Sequence, residues 1–385
     1  MMTENFKQKN AHAMLRFESN LDRLDENWDG AVSFYPKYLQ IEHTTRCNAR
    51  CIMCNHLYTG NREARDLNLD ILYRIEDVLK YVETVMLNGD GEPFLYADIE
   101  KSLALLQKHA VLIGTNTNLT YIPDKVWGYL KDSFSFLNIS CDGSSKALYE
   151  KIRKGLSFET FVKNLKKLNS VAPDLNKNLD CVLMRQNIGD MENLVRFAAD
   201  HGFQSVKFHA LGVNPMIGNM DDAPELYSHY LAEQVEKAKA AGKRLGMDVQ
   251  TPFVSISEDG SIEGDLRRIA EEEPRSLERL KDAEAKDVDL SFQYQRIQVT
   301  DGDLSPAPYA HGDICRWAIE RCYVDLMGNV TTCCYDMRHA YGSLQKQSFD
   351  EIWNGPVYKK LRKEMLQGSL PKWCKYCQWI KQPVF

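Results

Sequence analysis

The sequence predicts an α/β fold: a partial (β/α)6 barrel of the TIM type, followed by a small C-terminal α+β unit. Two observations lead to this fold class. Between residues 38 and 245, short apolar runs alternate with stretches whose apolar residues recur at helical spacing, as at Leu69, Leu72, Ile75 and Leu79. Such alternation is typical of βαβ units around a parallel sheet, and six units make three quarters of an eight-unit barrel.

The predicted strands and helices follow one another without an internal repeat. Strands are expected at Tyr38–Glu42, Val82–Asn88, Ala110–Thr115, Phe136–Ser140, Leu179–Met184 and Ser205–Ala210. Helices are expected near residues 67–80, 96–108, 124–131, 157–169, 190–201 and 223–241. A further helix-like stretch, Ala11–Leu24, lies in the polar N-terminal part.

Changes in composition divide the chain into four parts. We expect an N-terminal extension over residues 1–36, the barrel over 37–245, a charged insertion or linker over 246–312, and a C-terminal unit over 313–385. The last part contains strand-like runs at Cys322–Leu326 and Val330–Cys333 around a Gly328-Asn329 turn, and then a helix at Phe349–Met365.

Composition and charge exclude several classes of protein. The chain has 385 residues, of which 44% are hydrophobic, enough for one large domain or for a large and a small one. The formal net charge is −6 without a basic stripe, so no nucleic-acid partner is expected. The sequence has no apolar run of about 18 residues and no signal-like N-terminus. We therefore expect no membrane partner and a cytoplasmic location.

The cysteines are concentrated in two groups. Because disulfides are disfavoured in the cytoplasm, clustered cysteines there indicate metal binding or catalysis. Cys47, Cys51 and Cys54 follow the first predicted strand, and six of the 11 cysteines come after residue 314. Two groups at opposite ends of the sequence predict two separate metal sites.

The first group suits an iron–sulfur cluster with one open position. Three thiolates can hold three irons of a [4Fe–4S] cube and leave the fourth iron without a protein ligand. The alternative is a zinc knuckle with His43 or His56 as the fourth ligand. The position of the cysteines favours an iron–sulfur cluster, since they follow a predicted barrel strand and barrel active sites lie at the ends of such strands.

The spacing Cys47-x3-Cys51-x2-Cys54 resembles the signature of the radical S-adenosylmethionine (SAM) superfamily. Two later strand ends carry motifs similar to those of that family. Gly89-Asp90-Gly91-Glu92 resembles its glycine-glycine-glutamate motif, and Ser140-Cys141-Asp142-Gly143 resembles its serine-x-aspartate-glycine run. The resemblance covers residues 38–245 and implies that SAM is bound by Gly89, Asp90, Gly91, Glu92, Asn118, Ser140, Asp142, Arg153 and Arg185.

The second group of cysteines ends in a Cys374-x2-Cys377 knuckle. By spacing alone, a four-thiolate site there accepts zinc or an iron–sulfur cluster equally well. The group resembles the C-terminal SPASM and twitch modules, which bind auxiliary [4Fe–4S] clusters. Because no cysteine follows Cys377, we expect a twitch-like module with one auxiliary cluster held by Cys315, Cys333, Cys374 and Cys377, with Cys322 as a rival ligand.

The resemblance implies that SAM is cleaved to a 5′-deoxyadenosyl radical, which removes a hydrogen atom from the substrate. An auxiliary cluster favours a two-electron oxidation, and the layout is similar to that of the twitch-containing aminocyclitol dehydrogenase of butirosin biosynthesis. The 36 residues before the barrel are too few for a winged-helix peptide-binding domain, which favours a small sugar- or aminocyclitol-like substrate. Modification of a ribosomal peptide is an alternative.

Cys334 and Asp336 are the candidate catalytic residues beside Cys333. A thiol can donate a hydrogen atom or accept a proton, so with Cys334 as hydrogen donor the enzyme would be an epimerase. No flavin or nicotinamide fingerprint is present, and a flavodoxin or ferredoxin is therefore expected as electron donor. An alternative of another class is a non-catalytic protein whose tail is held on the barrel by zinc or by a single cluster.

Overall fold

The computed structural model describes residues 2–20, 28–54, 64–212, 220–256, 260–272, 297–298, 306–308, 317–334, 339–366 and 369–371. Its strands are β1 (Tyr38–Ile41), β2 (Arg50–Cys51), β3 (Thr84–Leu87), β4 (Leu112–Thr117), β5 (Phe134–Ser140), β6 (Arg153–Lys154), β7 (Asn176–Leu183), β8 (Ser205–Ala210), β9 (Asp248–Gln250), β10 (Ile297–Gln298), β11 (Pro306–Pro308), β12 (Arg321–Val324), β13 (Asn329–Thr331), β14 (His339–Ala340), β15 (Gly342–Ser343) and β16 (Ser369–Pro371). Its α-helices are Met2–Glu18, Leu69–Arg74, Glu76–Leu79, Ile99–Lys108, Val126–Asp132, Lys146–Ile152, Phe158–Val171, Met191–Asp200, Ser228–Leu245, residues 262–272, Trp317–Glu320, Phe349–Trp353 and Pro356–Leu366.

The main sheet has the order β15-β13-β12-β1-β3-β4-β5-β7-β8-β9. Neighbouring strands from β1 to β9 pair in parallel, and helices connect them. The predicted partial barrel is thus confirmed, with the six predicted strands in their expected order. The added strand β9 lies just beyond residue 245, where we expected the barrel to end.

The sheet has one face covered by helices and one concave face. Successive side chains of a strand point to opposite faces, so burial should alternate when only one face is covered. In β7, Leu179, Cys181 and Leu183 are fully buried, whereas Asp180 and Val182 remain partly exposed. The apolar core therefore lies between the sheet and its helices, and the concave face stays accessible.

The floor of the concave face is closed at Gly114 on β4. A Cβ atom at this position would lie 2.3 Å from the Phe136 ring and 2.7 Å from the Met86 sulfur. These two side chains therefore lie over the Gly114 backbone, which only glycine permits. Large side chains therefore fill the concave face at the level of Gly114.

The tail of the chain extends the barrel sheet. Strand β12 pairs in parallel with β1, with Tyr38 opposite Arg321 and Ile41 opposite Val324. The expected hairpin is present, since β12 and β13 are antiparallel and Gly328 in their turn has a φ of 77°. The hairpin thereby closes the free edge of β1.

Two helical predictions differ from the structure in their limits. The single helix expected at Phe349–Met365 is two helices, because Pro356 has no amide hydrogen and begins a new first turn after Gly355. The N-terminal helix begins at Met2, before the expected Ala11, and ends at Glu18; residues 21–24 of the expected stretch Ala11–Leu24 lie outside the described residues. Among the described helices, none is long and apolar enough to cross a membrane.

Candidate functional site

The first cysteine group lies in the loop after β1, at the carboxyl end of the parallel strands. Cys51 is on β2, which pairs with β6 so that Cys51 lies opposite Arg153. The Cys54 amide donates to the Cys51 carbonyl at 3.1 Å, and Cys51 is buried while Cys47 and Cys54 are half-buried. Burial raises the pKa of the Cys47 thiol to about 11, so in this environment a bound cation is needed to keep the sulfur ionised.

A buried ion pair lies directly beside Cys51. Arg153 Nη2 is 2.7 Å from Asp142 Oδ2, and Arg153 Nη1 lies 3.8 Å from the Cys51 sulfur. The second Asp142 oxygen accepts from the Val182 amide at 2.7 Å. Through this ion pair Asp142 holds the arginine against the cysteine loop.

The surroundings of this pair fit a bound ligand. Arg153 Nε and Tyr149 Oη are buried without a hydrogen-bond partner among the described residues. Such orphaned polar atoms are rare in folded proteins and call for a missing partner. A guanidinium beside buried thiols also complements the negative charge of a thiolate-ligated cluster.

Glu92 is the buried acid of the loop after β3. Its two carboxylate oxygens accept from the Thr117 hydroxyl at 2.6 Å and from the Asn118 amide at 2.8 Å. Burial raises the pKa of this carboxyl group to about 7. A carboxylate held in this way is suited to bind an ammonium group, which would offset the cost of its burial.

The loop of residues 89–92 packs closely on the cysteine loop. A Cβ atom at Gly91 would lie 2.3 Å from the Thr44 carbonyl oxygen and 2.7 Å from that of Arg46. The Glu92 amide also donates to the Arg46 carbonyl at 2.7 Å. Glycine is therefore required at position 91, because the backbone of this loop lies against the backbone of Thr44 and Arg46, directly before Cys47.

Asn118 joins the loop after β4 to the same place. Its Nδ2 atom donates to Asn48 Oδ1 at 2.8 Å, and Asn48 in turn donates to the Thr120 hydroxyl at 2.9 Å. The structure thus brings together the sequence-predicted residues Gly89, Asp90, Gly91, Glu92, Asn118, Asp142, Arg153, Cys47, Cys51 and Cys54.

Ser140 and Arg185 occupy different surroundings. Ser140 is half-buried on the concave face at the end of β5. Arg185 is buried, and its guanidinium pairs with Asp222 at 3.0 Å and donates to the Ile269 carbonyl at 3.1 Å. The described partners of Arg185 therefore anchor the segments after β8 and β9, and a contact with SAM stays a prediction.

His43 is not available as the fourth ligand of a zinc knuckle. One of its ring nitrogens is 3.2 Å from the Ile41 carbonyl and the other is 2.7 Å from the Ser102 hydroxyl. Burial lowers its pKa to about 4, so it is a neutral core residue. His56 lies outside the described residues. Within the described ranges, no three Cys, His, Asp or Glu side chains converge as a preformed one-metal site.

Only part of the second cysteine group lies within the described residues. Cys333 and Cys334 are half-buried at the end of the β12–β13 hairpin, and the Cys333 carbonyl accepts from the Thr331 hydroxyl at 3.0 Å. Cys322 is 1% exposed, with its sulfur 3.9 Å from the Tyr358 hydroxyl, as expected for a core residue. The predicted residues outside the described ranges are Cys315, Asp336, Cys374 and Cys377.

Sequence reasoning missed Glu42, the residue directly after β1. Its carboxylate accepts from the Asp90 amide at 3.0 Å, the Tyr323 hydroxyl at 3.2 Å and the Leu326 amide at 3.4 Å. Burial raises its pKa to about 7. The sequence did contain a signal for this residue. Glu42 continues the alternation of β1 on the concave face, where a charged residue directly after an apolar strand is unusual.

Comparison with known families agrees with this geometry. A family model described as the radical SAM superfamily matches residues 41–198, and one described as an iron–sulfur cluster-binding domain (SPASM) matches residues 315–378. A radical SAM domain binds SAM and a [4Fe–4S] cluster, and a SPASM domain binds auxiliary iron–sulfur clusters. The expected cofactors are thereby confirmed at the level of the domains.

Relatives of known activity are distant. The AdoMet-dependent heme synthase of Methanosarcina barkeri (strain Fusaro / DSM 804) is 21% identical over 362 residues, which cover 91% of each chain. The GTP 3′,8-cyclase of Clostridium botulinum (strain Okra / Type B1) is 27% identical over 172 residues. This alignment covers 41% of the present chain and 52%, about half, of the cyclase.

Two solved structures show the same fold. Streptococcus suis SuiB bound to S-adenosylmethionine superimposes with a TM-score of 0.58 at 15% identity, covering 93% of this chain and 72% of SuiB. The protein anSMEcpe with bound AdoMet and Cp18Cys peptide gives a TM-score of 0.56 at 16% identity, covering 90% and 88% of the two chains. At these identities the likeness extends to the fold alone.

Proposed function

Because the chain belongs to the radical SAM superfamily and carries a C-terminal SPASM domain, we propose that it oxidises a small sugar- or aminocyclitol-like molecule by two electrons. When bound, the [4Fe–4S] cluster supplies the electron that cleaves SAM to the 5′-deoxyadenosyl radical, which takes a hydrogen atom from the substrate. Cys47, Cys51 and Cys54 would hold this cluster, and Cys315, Cys333, Cys374 and Cys377 would hold an auxiliary one.

One observation carries the proposal: hydrogen bonds lock three strand-end loops onto the cysteine loop. Glu92 connects to the loop after β4 through Thr117 and Asn118, and Arg153 connects Asp142 to Cys51. In this arrangement the Glu92 carboxylate would bind the SAM ammonium group, and Arg153 would balance the charge of the thiolates.

An oxidation is favoured by the position of the hairpin that carries Cys333. Strand β12 lies against β1, and the cysteine loop follows directly after β1. Because β13 runs back antiparallel to β12, Cys333 follows β13 towards the amino end of β1, whereas the cysteine loop follows its carboxyl end. An auxiliary cluster held there would face the barrel from the end opposite the SAM cluster, which would let a substrate bound between the two ends pass an electron to it. Cys334 and Asp336 follow Cys333 in the sequence, so we propose them as groups for proton or hydrogen-atom transfer.

The concave face favours a small polar substrate over a macrocycle. The heme synthase that aligns over nearly the full chain makes a tetrapyrrole the second candidate substrate class. A tetrapyrrole needs a broad apolar surface, whereas the described concave face carries Asn116, Asn138, Asn178 and Asp180. A peptide substrate is the third class, as in the complex of SuiB with its precursor peptide SuiA.

The test is anaerobic reconstitution followed by incubation with SAM, reductant and candidate polyols. We expect about eight irons per chain, for two cubane clusters, formation of 5′-deoxyadenosine, and a product lighter by about two mass units. Deuterium uptake from solvent without mass loss would instead indicate epimerisation with Cys334 as donor. Bound zinc with no SAM cleavage would contradict the enzyme altogether. A flavodoxin or ferredoxin should replace the chemical reductant.

A further inference from the structure

Four polar side chains form a continuous ladder across the concave face. Asn116 on β4, Asn138 on β5, Asn178 on β7 and Ser205 on β8 are opposite one another in the register of the sheet. Asn138 donates to Asn116 at 2.9 Å, Asn178 donates to Asn138 at 3.0 Å, and the Ser205 hydroxyl donates to Asn178 at 2.7 Å. The ladder spans four adjacent strands at one level of the barrel.

Burial of their neighbours places the ladder on the concave side. Leu137 and Ile139 flank Asn138, Leu179 follows Asn178, and all three are fully buried among the helices. Asn138 itself is half-buried. Each carboxamide can form about four hydrogen bonds, and the ladder uses two of them at Asn138, so hydrogen-bonding capacity remains towards the cleft.

Asp180 lies two residues after Asn178 on the same face of β7, and within the described part of the chain one of its carboxylate oxygens lacks a hydrogen-bond donor. Its Oδ1 atom is buried and has no hydrogen-bond partner among the described residues. The His209 Nε2 atom is 3.8 Å from this oxygen, which is too far for a hydrogen bond. Unlike an amide, a carboxylate accepts at both oxygens, so rotating the group does not remove the need for a donor.

The charges around Asp180 favour a donor from the ligand. Ser140 and Lys207 are opposite Asp180 on the two neighbouring strands. Lys207 is half-exposed and His209 is 45% exposed, so water can solvate both of them. Asp180 is 19% exposed, and its buried oxygen has lost water without a replacement.

We propose that Asp180 and the amide ladder are the substrate subsite, and that the subsite binds an amino- or hydroxyl-rich ring through its N–H and O–H donors. Asp180 accepts from the ammonium or hydroxyl group of the ring, and Asn116 and Asn138, the two half-buried members of the ladder, bind neighbouring hydroxyls. The subsite rests on the proposed function, since it specifies the substrate of the same barrel. Asp180 is thus a specificity-determining residue.

Binding is tested on the anaerobic holoenzyme with SAM and oxidised clusters, so that no turnover occurs. The probes are an aminoinositol (inosamine), myo-inositol and glucuronate, titrated by calorimetry. We expect inosamine to bind most tightly and Asp180→Asn to weaken its binding by roughly tenfold. The matched control is Asp174→Asn, an exposed aspartate just before β7, which should bind inosamine like the wild type.

Several results would overturn the subsite. The first is that Asp180→Asn melts like the wild type and binds inosamine equally well. The second is that the wild type binds glucuronate more tightly than inosamine. The third is that it binds none of the probes. Asn138→Ser, which shortens the ladder, provides a second variant and should weaken myo-inositol binding. The same samples are assayed with reductant for 5′-deoxyadenosine. Absence of SAM cleavage in the wild type contradicts the proposed function, whereas normal cleavage with unaltered probe binding contradicts the subsite alone.

Discussion

Tyr323 donates its hydroxyl hydrogen to Glu42 at 3.2 Å, a hydrogen bond between residues 281 positions apart. The same carboxylate accepts from the Asp90 amide and the Leu326 amide. It can approach this closely because a Cβ atom at Gly89 would lie 2.3 Å from Glu42 Cγ. One buried side chain therefore connects β1, the loop of residues 89–92 and the hairpin that carries Cys333.

Replacing Glu42 by Gln should loosen this connection. The amide nitrogen of Gln would face either the donors Tyr323 and Leu326 or the donor at Asp90. At least one hydrogen bond between these segments is therefore lost. Hydrogen exchange measured by mass spectrometry should become faster in peptides covering residues 89–92 and 321–331.

The controls for this change are Tyr323→Phe and Glu100→Gln. The first removes a single hydrogen bond and should cost about 1 kcal/mol, and the second changes a half-exposed surface carboxylate. If the hydrogen-exchange rates of Glu42→Gln equalled those of Glu100→Gln, the Glu42 carboxylate would not be the group that holds the hairpin to the loop of residues 89–92.

Gly91→Ala should separate the glutamate loop from the cysteine loop. The new Cβ atom would meet two backbone oxygens within 2.7 Å, so the loop must move. We expect SAM binding, measured by calorimetry on the reconstituted protein, to weaken by at least about tenfold. The matched control is Gly128→Ala in the helix Val126–Asp132, where nothing lies within 4 Å of the added atom. Equal SAM affinity in both variants would contradict the close packing.

Arg153→Leu should be strongly destabilising. It leaves the buried Asp142 carboxylate without its counter-ion, and breaking one side of a buried ion pair costs about 3–5 kcal/mol. Urea unfolding of the metal-free protein gives this value. Adding Asp142→Asn to Arg153→Leu removes the unpaired charge and should recover part of the loss. A double variant no more stable than Arg153→Leu would argue against charge burial as the cause.

Glu92→Gln should alter the pH dependence of stability. Burial raises the pKa of Glu92 from its ordinary value of 4.5 to about 7, so the folded state binds the proton more tightly than the unfolded state. The free energy of unfolding should therefore fall as pH rises through this window. Gln mimics the protonated acid, and the Thr117 hydroxyl can reverse to accept from its amide.

We expect Glu92→Gln to match the wild type near pH 5 and to exceed it by about 1–3 kcal/mol near pH 8. Thermal or urea unfolding of the metal-free proteins at both pH values measures the difference. The variant should nevertheless lose SAM affinity, because its neutral amide cannot pair with an ammonium group. A stability difference independent of pH would show that Glu92 is ionised in the same way in both states.

Cys51→Ala should remove the SAM-cleaving cluster. Iron content should fall from about eight to about four per chain, and 5′-deoxyadenosine formation should cease. The control Cys181→Ala changes a fully buried cysteine of β7 and should keep its iron. In contrast, Cys377→Ala should leave some SAM cleavage uncoupled from product formation. Normal turnover by either ligand variant would contradict the assigned ligands.

Local patterns were sufficient to predict the barrel and most of the candidate residues that its strand ends bring together, whose roles stay predictions. The alternation in Leu179–Leu183 identifies a strand because burial on one face is visible in the sequence itself. Likewise, Glu92 and Asp142 were found because each follows a predicted strand. Pairing is different: nothing in the composition of Arg321–Val324 indicates that its neighbour is β1, since strand periodicity carries no information about a distant partner.

Glu42 was missed because it is a single charged residue at the end of an apolar run, and its role depends on partners that are distant in the sequence. The partners of Glu42 come from three separate parts of the chain. Arg185 was predicted at SAM because it is a basic residue near a strand end; its described partners include Asp222 and a helix carbonyl, and the SAM contact stays a prediction.

The parallel pairing of β1 with β12 also has a consequence for biosynthesis. The first barrel strand emerges from the ribosome long before its neighbour, which is complete only at Val324. Contacts of such high sequence separation form late and slow down folding. We therefore expect the edge of β1, and with it the nearby cysteine loop, to stay uncovered during most of translation, a period in which a cluster can be delivered before the tail closes the edge.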